Sequence, residues 1–144
     1  MTFFECLILG HFVGDYLLQN NWMALNKTKK WLPLLVHVAL YSLAVCLFTF
    51  AFTGFNLWWI LVVILSHLFI DRWSLADKYL EFTGSRSLRK YVEAQQGRVL
   101  TGQPVIGTDI LAGGFTSFVY IVVDNTMHVL LIVLGAFLLK IIGG

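Results

Sequence analysis

Charge is what this sequence has least of. Asp, Glu, Lys and Arg make up 12% of its 144 residues, 8 acidic against 10 basic, for a formal net charge of +2. A soluble domain of this size carries about a quarter charged residues, because a small domain has so much surface to wet. A soluble globular domain is therefore excluded. No long basic run occurs, which removes nucleic-acid arms and leaves no nucleic-acid partner. Two Cys are too few for a disulfide scaffold, and the apolar share is too high for disorder. What is present instead is 58% hydrophobic and 15% aromatic residues, with a mean hydropathy of +0.79. Lipid stands in for the missing polar surface, and the chain reads as an integral membrane protein forming one transmembrane domain over 1–144.

A spanning helix needs roughly 20 mostly apolar residues at about 1.5 Å each. Four stretches qualify: Phe3 to Leu18, Leu32 to Phe52, Leu57 to Leu75 and Phe118 to Leu139. The first is short and interrupted by Gly10, His11, Gly14 and Asp15; the second opens on Pro33, which suits a first helical turn. The expected fold is all-α and polytopic: four transmembrane helices, with a cytoplasmic loop over about 76–117 between spans three and four. No Lys or Arg precedes the first apolar run, so that run reads as a retained helix and not a removed signal.

Lys27, Lys29 and Lys30 follow span one, and Arg72, Lys78, Arg86, Arg89, Lys90 and Arg98 follow span three. The excess of positive charge marks these loops as cytoplasmic and both termini as outward, in what reads as a bacterial inner membrane. Trp22, Trp31 and Trp73 fall at the expected inner interface, Trp58 and Trp59 at the outer one. Within the long loop, Ser85 to Gln95 sets Leu88, Tyr91 and Val92 beside Arg86, Arg89 and Lys90. That pattern suits an amphipathic helix on anionic headgroups or a solvated connector. Pro104 to Gly114 is half apolar and Gly-rich, a re-entrant flap or an entry to span four.

All the histidines, His11, His37, His67 and His128, lie in expected spans, one on each, although a buried imidazole in lipid is expensive. Three have an Asp four positions away: His11 with Asp15, His67 with Asp71, and His128 with Asp124. Four residues turn a helix by about 400°, so each pair shares a face with side chains about 6 Å apart. Asp occurs only at Asp15, Asp71, Asp77, Asp109 and Asp124, and chance produces three such pairs on the order of once in a thousand. Spans one and three read His-then-Asp going inward, and span four reads Asp-then-His going outward, so the order in space is the same.

Four imidazoles and three carboxylates in one inner layer point to a divalent metal. His11, His37, His67, His128, Asp15, Asp71 and Asp124 are the candidate ligands, with zinc first and manganese or iron also suited. Three or four His would bind directly, with carboxylates orienting the rings, or an Asp would bridge two metals. Asp15, Asp71 and Asp124 are equally candidate proton acceptors. The bland alternative is that each pair only stitches helices together. Gln19 extends the His11–Asp15 ladder, as a substrate contact or a polar helix end. Tyr41 follows His37 by one turn, as an oxyanion donor or as packing. Gly10 and Gly14 form a small-residue face for close helix approach, and Cys6 and Cys46 read as packing residues.

The run His11-Phe-Val-Gly-Asp15-Tyr-Leu-Leu-Gln19-Asn-Asn-Trp22-Met-Ala, with Leu-Leu-Val-His37, Ser66-His67-Leu-Phe-Ile-Asp71 and Asp124-Asn-Thr-Met-His128, is similar to the small bacterial and phage membrane proteins of domain-of-unknown-function family 3307. Asn125 departs from the Asp-Gln pair usual there. The resemblance covers nearly the whole chain outside the inner loop; it supports the fold and ligand list and names no reaction. A looser similarity is to membrane-bound metal-dependent hydrolases.

The expected function is hydrolysis of a lipid or other amphiphile at the cytoplasmic leaflet, with a metal-activated water and an Asp accepting its proton. Membrane lipids would be the partners, and a homodimer would enlarge so small a bundle. A proton or metal-ion transporter is the chief alternative, and a non-enzymatic membrane adaptor or exclusion protein the third.

Overall fold

The apolar runs form helices, and no strand occurs among the described residues, which in this computed structural model are 1–104 and 106–140. In chain order the helices are α1 (Phe3–Phe12), continued by a π-helical turn (Val13–Leu17), α2 (Asn21–Asn26), α3 (Trp31–Thr53), α4 (Leu57–Trp73), α5 (Leu75–Phe82), α6 (Leu88–Leu100) and α7 (Gly107–Leu138). α3 and α7 are long and apolar enough to cross a membrane, and α4 joins them if it is counted with α5 as one bent span. The chain is accordingly a membrane protein. α1 with its π-turn is about 22 Å long at helical rise, short of a hydrocarbon core of about 30 Å.

The described residues divide into two compact units. The first is Met1–Trp73 with the described part of His128–Gly144, and the second is Ser74–Met127. In the first, Thr2 starts α1 with a reciprocal cap: its hydroxyl accepts from Glu5 N–H, and the Glu5 carboxylate accepts from Thr2 N–H at 2.8 Å. α1 then lies against α3 because Gly10 and Gly14 carry no side chain. A Cβ on Gly10 would meet Val45 Cα at 2.9 Å, and one on Gly14 would meet the Tyr41 ring at 2.7 Å.

Phe3, Leu7, Tyr41, Val45, Trp59, Val63, Ile132 and Ala136 form the core of this unit. Leu32, Leu35, Leu43, Leu47 and Phe50 on α3 face outward. This inversion of the soluble pattern is what a lipid solvent permits. Trp59 departs from its expected interfacial place. It is fully buried, and its indole N–H donates to Thr49 Oγ1 at 3.0 Å, while Trp58 is exposed. Cys6 is buried, Cys46 half-buried, and both are free thiols.

In the second unit Ser74 precedes α5 in a left-handed conformation (φ 46°). Ser87 caps α6 through Lys90 N–H and donates to Asp77 at 2.9 Å. α6 runs later and longer than the expected Ser85–Gln95 segment and has no buried residue. α7 begins at Gly107, eleven residues ahead of the expected Phe118. Of the Pro104–Gly114 stretch, residues 107–114 are therefore its entry, while Val105 lies outside the described residues, as do the closing Gly143 and Gly144.

Candidate metal centre

The first unit gathers six of the seven expected ligands. His11 comes from the last turn of α1 and Asp15 from the π-turn; His37 comes from α3, His67 and Asp71 from α4, and His128 from α7. The π-turn is local to Asp15. A widened turn shifts the angular position of every following side chain, and such turns recur at functional sites. It forms where Gly14 lets the Tyr41 ring press against the backbone. All four imidazoles are fully buried or nearly so, and Asp71 has 2% and Asp15 12% of its side chain exposed.

His37 and His67 meet nitrogen to nitrogen, with Nε2 atoms 2.9 Å apart. Asp71 Oδ2 lies 3.1 Å from His37 Nε2 and 3.2 Å from His67 Nε2. Asp15 Oδ1 lies 3.3 and 3.5 Å from the same two atoms. His128 Nε2 is 3.7 Å from Asp71 Oδ1. Around a tetrahedral ion with bonds of about 2.05 Å, ligand atoms stand about 3.3 Å apart, so each carboxylate stands from the two imidazole nitrogens at about the separation that a shared cation requires. Asp15 Oδ1 is buried without a well-formed hydrogen bond among the described residues. An oxygen 3.3 and 3.5 Å from two imidazole nitrogens is a natural place for a cation.

Two groups of donors have metal-site spacing: Asp15, His37 and His67; and His67, Asp71 and His128. In the contacts above His67 presents Nε2 to both carboxylates. One lone pair serves one cation, so this geometry favours a single ion over a bridged pair.

His11 stands one remove away, in neither group. Its Nδ1 is 2.9 Å from the Tyr41 hydroxyl and 3.4 Å from Asp15 Oδ2. Tyr41 is fully buried, and its ring stacks on His67 at 3.6 Å between centroids, so it supports a ligand on one side and His11 on the other. Asp124 belongs to the second unit, half-buried and one turn before His128 on α7. Asn125 donates its side-chain amide to the Ile121 carbonyl at 2.6 Å. Gln19 is half-buried at the end of the π-turn segment.

Sequence reasoning missed Lys27. It counted this residue only as a loop charge, yet Nζ lies 2.9 Å from Asp71 Oδ2 and 3.4 Å from His37 Nε2, with 15% of the side chain exposed. The available signal was electrostatic: carboxylates among apolar residues need a counter-charge, and Lys27 is the first Lys or Arg after Asp15.

The family model described as "Protein of unknown function (DUF3307)" matches residues 3–142. No curated protein and no solved structure matches the chain, so the looser similarity to membrane-bound hydrolases gains no support from them.

Proposed function

The chain belongs to the DUF3307 family of proteins of unknown function, and for it we propose a metal-dependent hydrolase embedded in the membrane, acting on a lipid or similar amphiphile. The carrying observation is the convergence of His37 and His67 Nε2 on each other and on both Asp15 and Asp71 within 2.9–3.5 Å. Imidazole nitrogen and carboxylate oxygen, with no thiolate in the set, suit zinc, and manganese or iron as well. His37, His67, Asp15 and Asp71 would hold the ion, with His128 beside Asp71. A bound divalent ion would supply Lewis acidity and lower the pKa of water at this position.

The protein's own groups divide the remaining work. Asp71 is committed to two imidazoles and Lys27. Asp15 is the more open carboxylate and is backed by His11, which also holds Tyr41. Asp15 is therefore the proton acceptor in this reading, and His11 with Tyr41 positions it. In the proposed topology α1 with its π-turn, α3, α4 and α7 are four spans of a bacterial inner membrane. Lys27, Lys29, Lys30 and Arg72 would face the cytoplasm and attract anionic headgroups. Ester, amide or phosphate groups of inner-leaflet lipids would then lie near the site while water enters from the cytoplasm.

A proton or metal-ion transporter needs polar groups through the whole depth. Beyond Tyr41 the first unit is filled mainly by Leu7, Val45, Trp59, Val63, Ile132 and Ala136, and the Thr49 hydroxyl among them is taken up by the Val45 carbonyl and the Trp59 indole, a packing that favours the hydrolase. The test is elemental analysis of detergent-purified protein with lipid turnover in liposomes. Near-stoichiometric zinc, manganese or iron, lost together with turnover in His67→Ala and Asp71→Asn, is the expected result. Ion flux without lipid turnover would overturn the proposal in favour of transport.

A further inference from the structure

Lys27 lies outside the proposed ligand set yet engages two of its atoms. Its Nζ is 2.9 Å from Asp71 Oδ2 and 3.4 Å from His37 Nε2. An ammonium has only donors to offer, so it draws on the same oxygen and nitrogen lone pairs that a metal would use. A divalent ion added beside the ammonium would place two cations within a few ångströms of each other in a water-poor site, where like charges repel strongly.

The backbone around Lys27 is held in place. Asn20 caps α2 through Met23 N–H at 3.0 Å, and Met23 is buried. Asn26 donates to the Trp22 carbonyl at 2.9 Å. On the other side the Arg72 guanidinium donates to the Thr28 carbonyl and lies 4.8 Å over the Trp31 ring. With both flanks anchored, Lys27 meets the site through a four-carbon stem of rotatable bonds, and the partial exposure of that side chain leaves it a way out.

We propose that Lys27 is a tethered cation that occupies the Asp71–His37 edge of the site until a divalent metal exchanges with it, so that metal entry and Lys27 release are one event. The inference rests on the metal-centre reading above and adds to it a built-in competitor. Ions that bind oxygen and nitrogen weakly would fail to displace the amine, and the site would discriminate against them without any further ligand.

The test uses the full chain in nanodiscs, stripped of metal and titrated with zinc alone. Lys27→Met keeps the unbranched stem and removes the charge, and it should bind zinc about tenfold more tightly, because the fraction of sites closed by the amine no longer taxes the affinity. In the wild type, acylation of the Lys27 amine followed by peptide mass spectrometry should be slow without metal and several-fold faster in saturating zinc. This arm needs no variant to fold. Zinc bound with Lys27 labelling unchanged, or zinc bound no more tightly by a folded Lys27→Met, overturns the exchange and leaves the metal centre standing. Zinc bound by neither protein defeats the metal reading, and the exchange with it.

Discussion

The two units use the same side chains to different ends. In the first, Asp71 and four imidazoles are buried, and the half-buried Asp15 and Lys27 turn toward them. In the second, the cations are the open partners: Arg89, 54% exposed, pairs with Glu81, and Arg98, 36% exposed, with Asp109, both arginines on α6, a helix with no buried residue. Solvent decides the difference. An exposed pair exchanges one set of hydrogen bonds for another and contributes little, whereas a buried carboxylate that loses its partners keeps the whole desolvation penalty. The first arrangement is costly to keep without a use, and the second asks for no explanation beyond wetting a surface.

Substitution at the acidic partners should separate the units most sharply. Asp71→Ala strips Lys27, His37 and His67 of their shared carboxylate and should cost about 3–5 kcal/mol, seen as a large fall in the detergent-solubilised unfolding midpoint. Glu81→Ala should leave that midpoint within error; equal losses would erase the contrast. A smaller effect is expected at the glycines. Gly14→Ala drives a methyl into the Tyr41 ring and should cost about 1–3 kcal/mol through overpacking. Gly97→Ala on α6, where a Cβ meets nothing within 4 Å, should stabilise by up to about 1 kcal/mol. A gain at Gly14 would mean that the close approach of α1 to α3 is not needed.

The smallest effect is with pH. Hydrogen bonding to the Arg89 guanidinium holds the Glu81 carboxyl below its ordinary value. Its stabilisation is therefore present above the ordinary Glu range and is lost as pH falls through the lowered value. Comparing wild type with Glu81→Gln in acid scans at low salt should show a slight difference that vanishes in high salt, as expected of a screened surface pair.

Much of the first unit was legible because its signals are local. A His and an Asp four positions apart share a helix face whatever surrounds them, so the pairs at His11 and His67 could be read directly. His128, expected in the same set, has its Nε2 3.7 Å from Asp71 Oδ1. The misses were long-range or sub-helical. The π-turn at Asp15 falls where Tyr41 packs against Gly14, two residues far apart in sequence. Trp59 looked interfacial because an indole prefers the headgroup region, but Thr49 supplied its polar partner inside the bundle. α7 starts ahead of the apolar run from Phe118, within the stretch that composition alone left as a flap or an entry. A lone Gly costs a helix only about 1 kcal/mol against Ala, and Tyr91 packs close to Gly113.

By itself the sequence determined the solvent, the helices and the chemical type of the site: too little charge to wet a surface, apolar runs long enough to form helical rods, and imidazoles spaced one turn from carboxylates. These properties follow from composition and from a period of 3.6 residues, which act within a few residues of chain. Only the tertiary structure decided that Asp15 and Asp71 face the same two nitrogens, that His11 stands behind them, and that Lys27 reaches in from a loop. Such distances depend on how separate helices pack and how a connecting turn is anchored, and no local period encodes them.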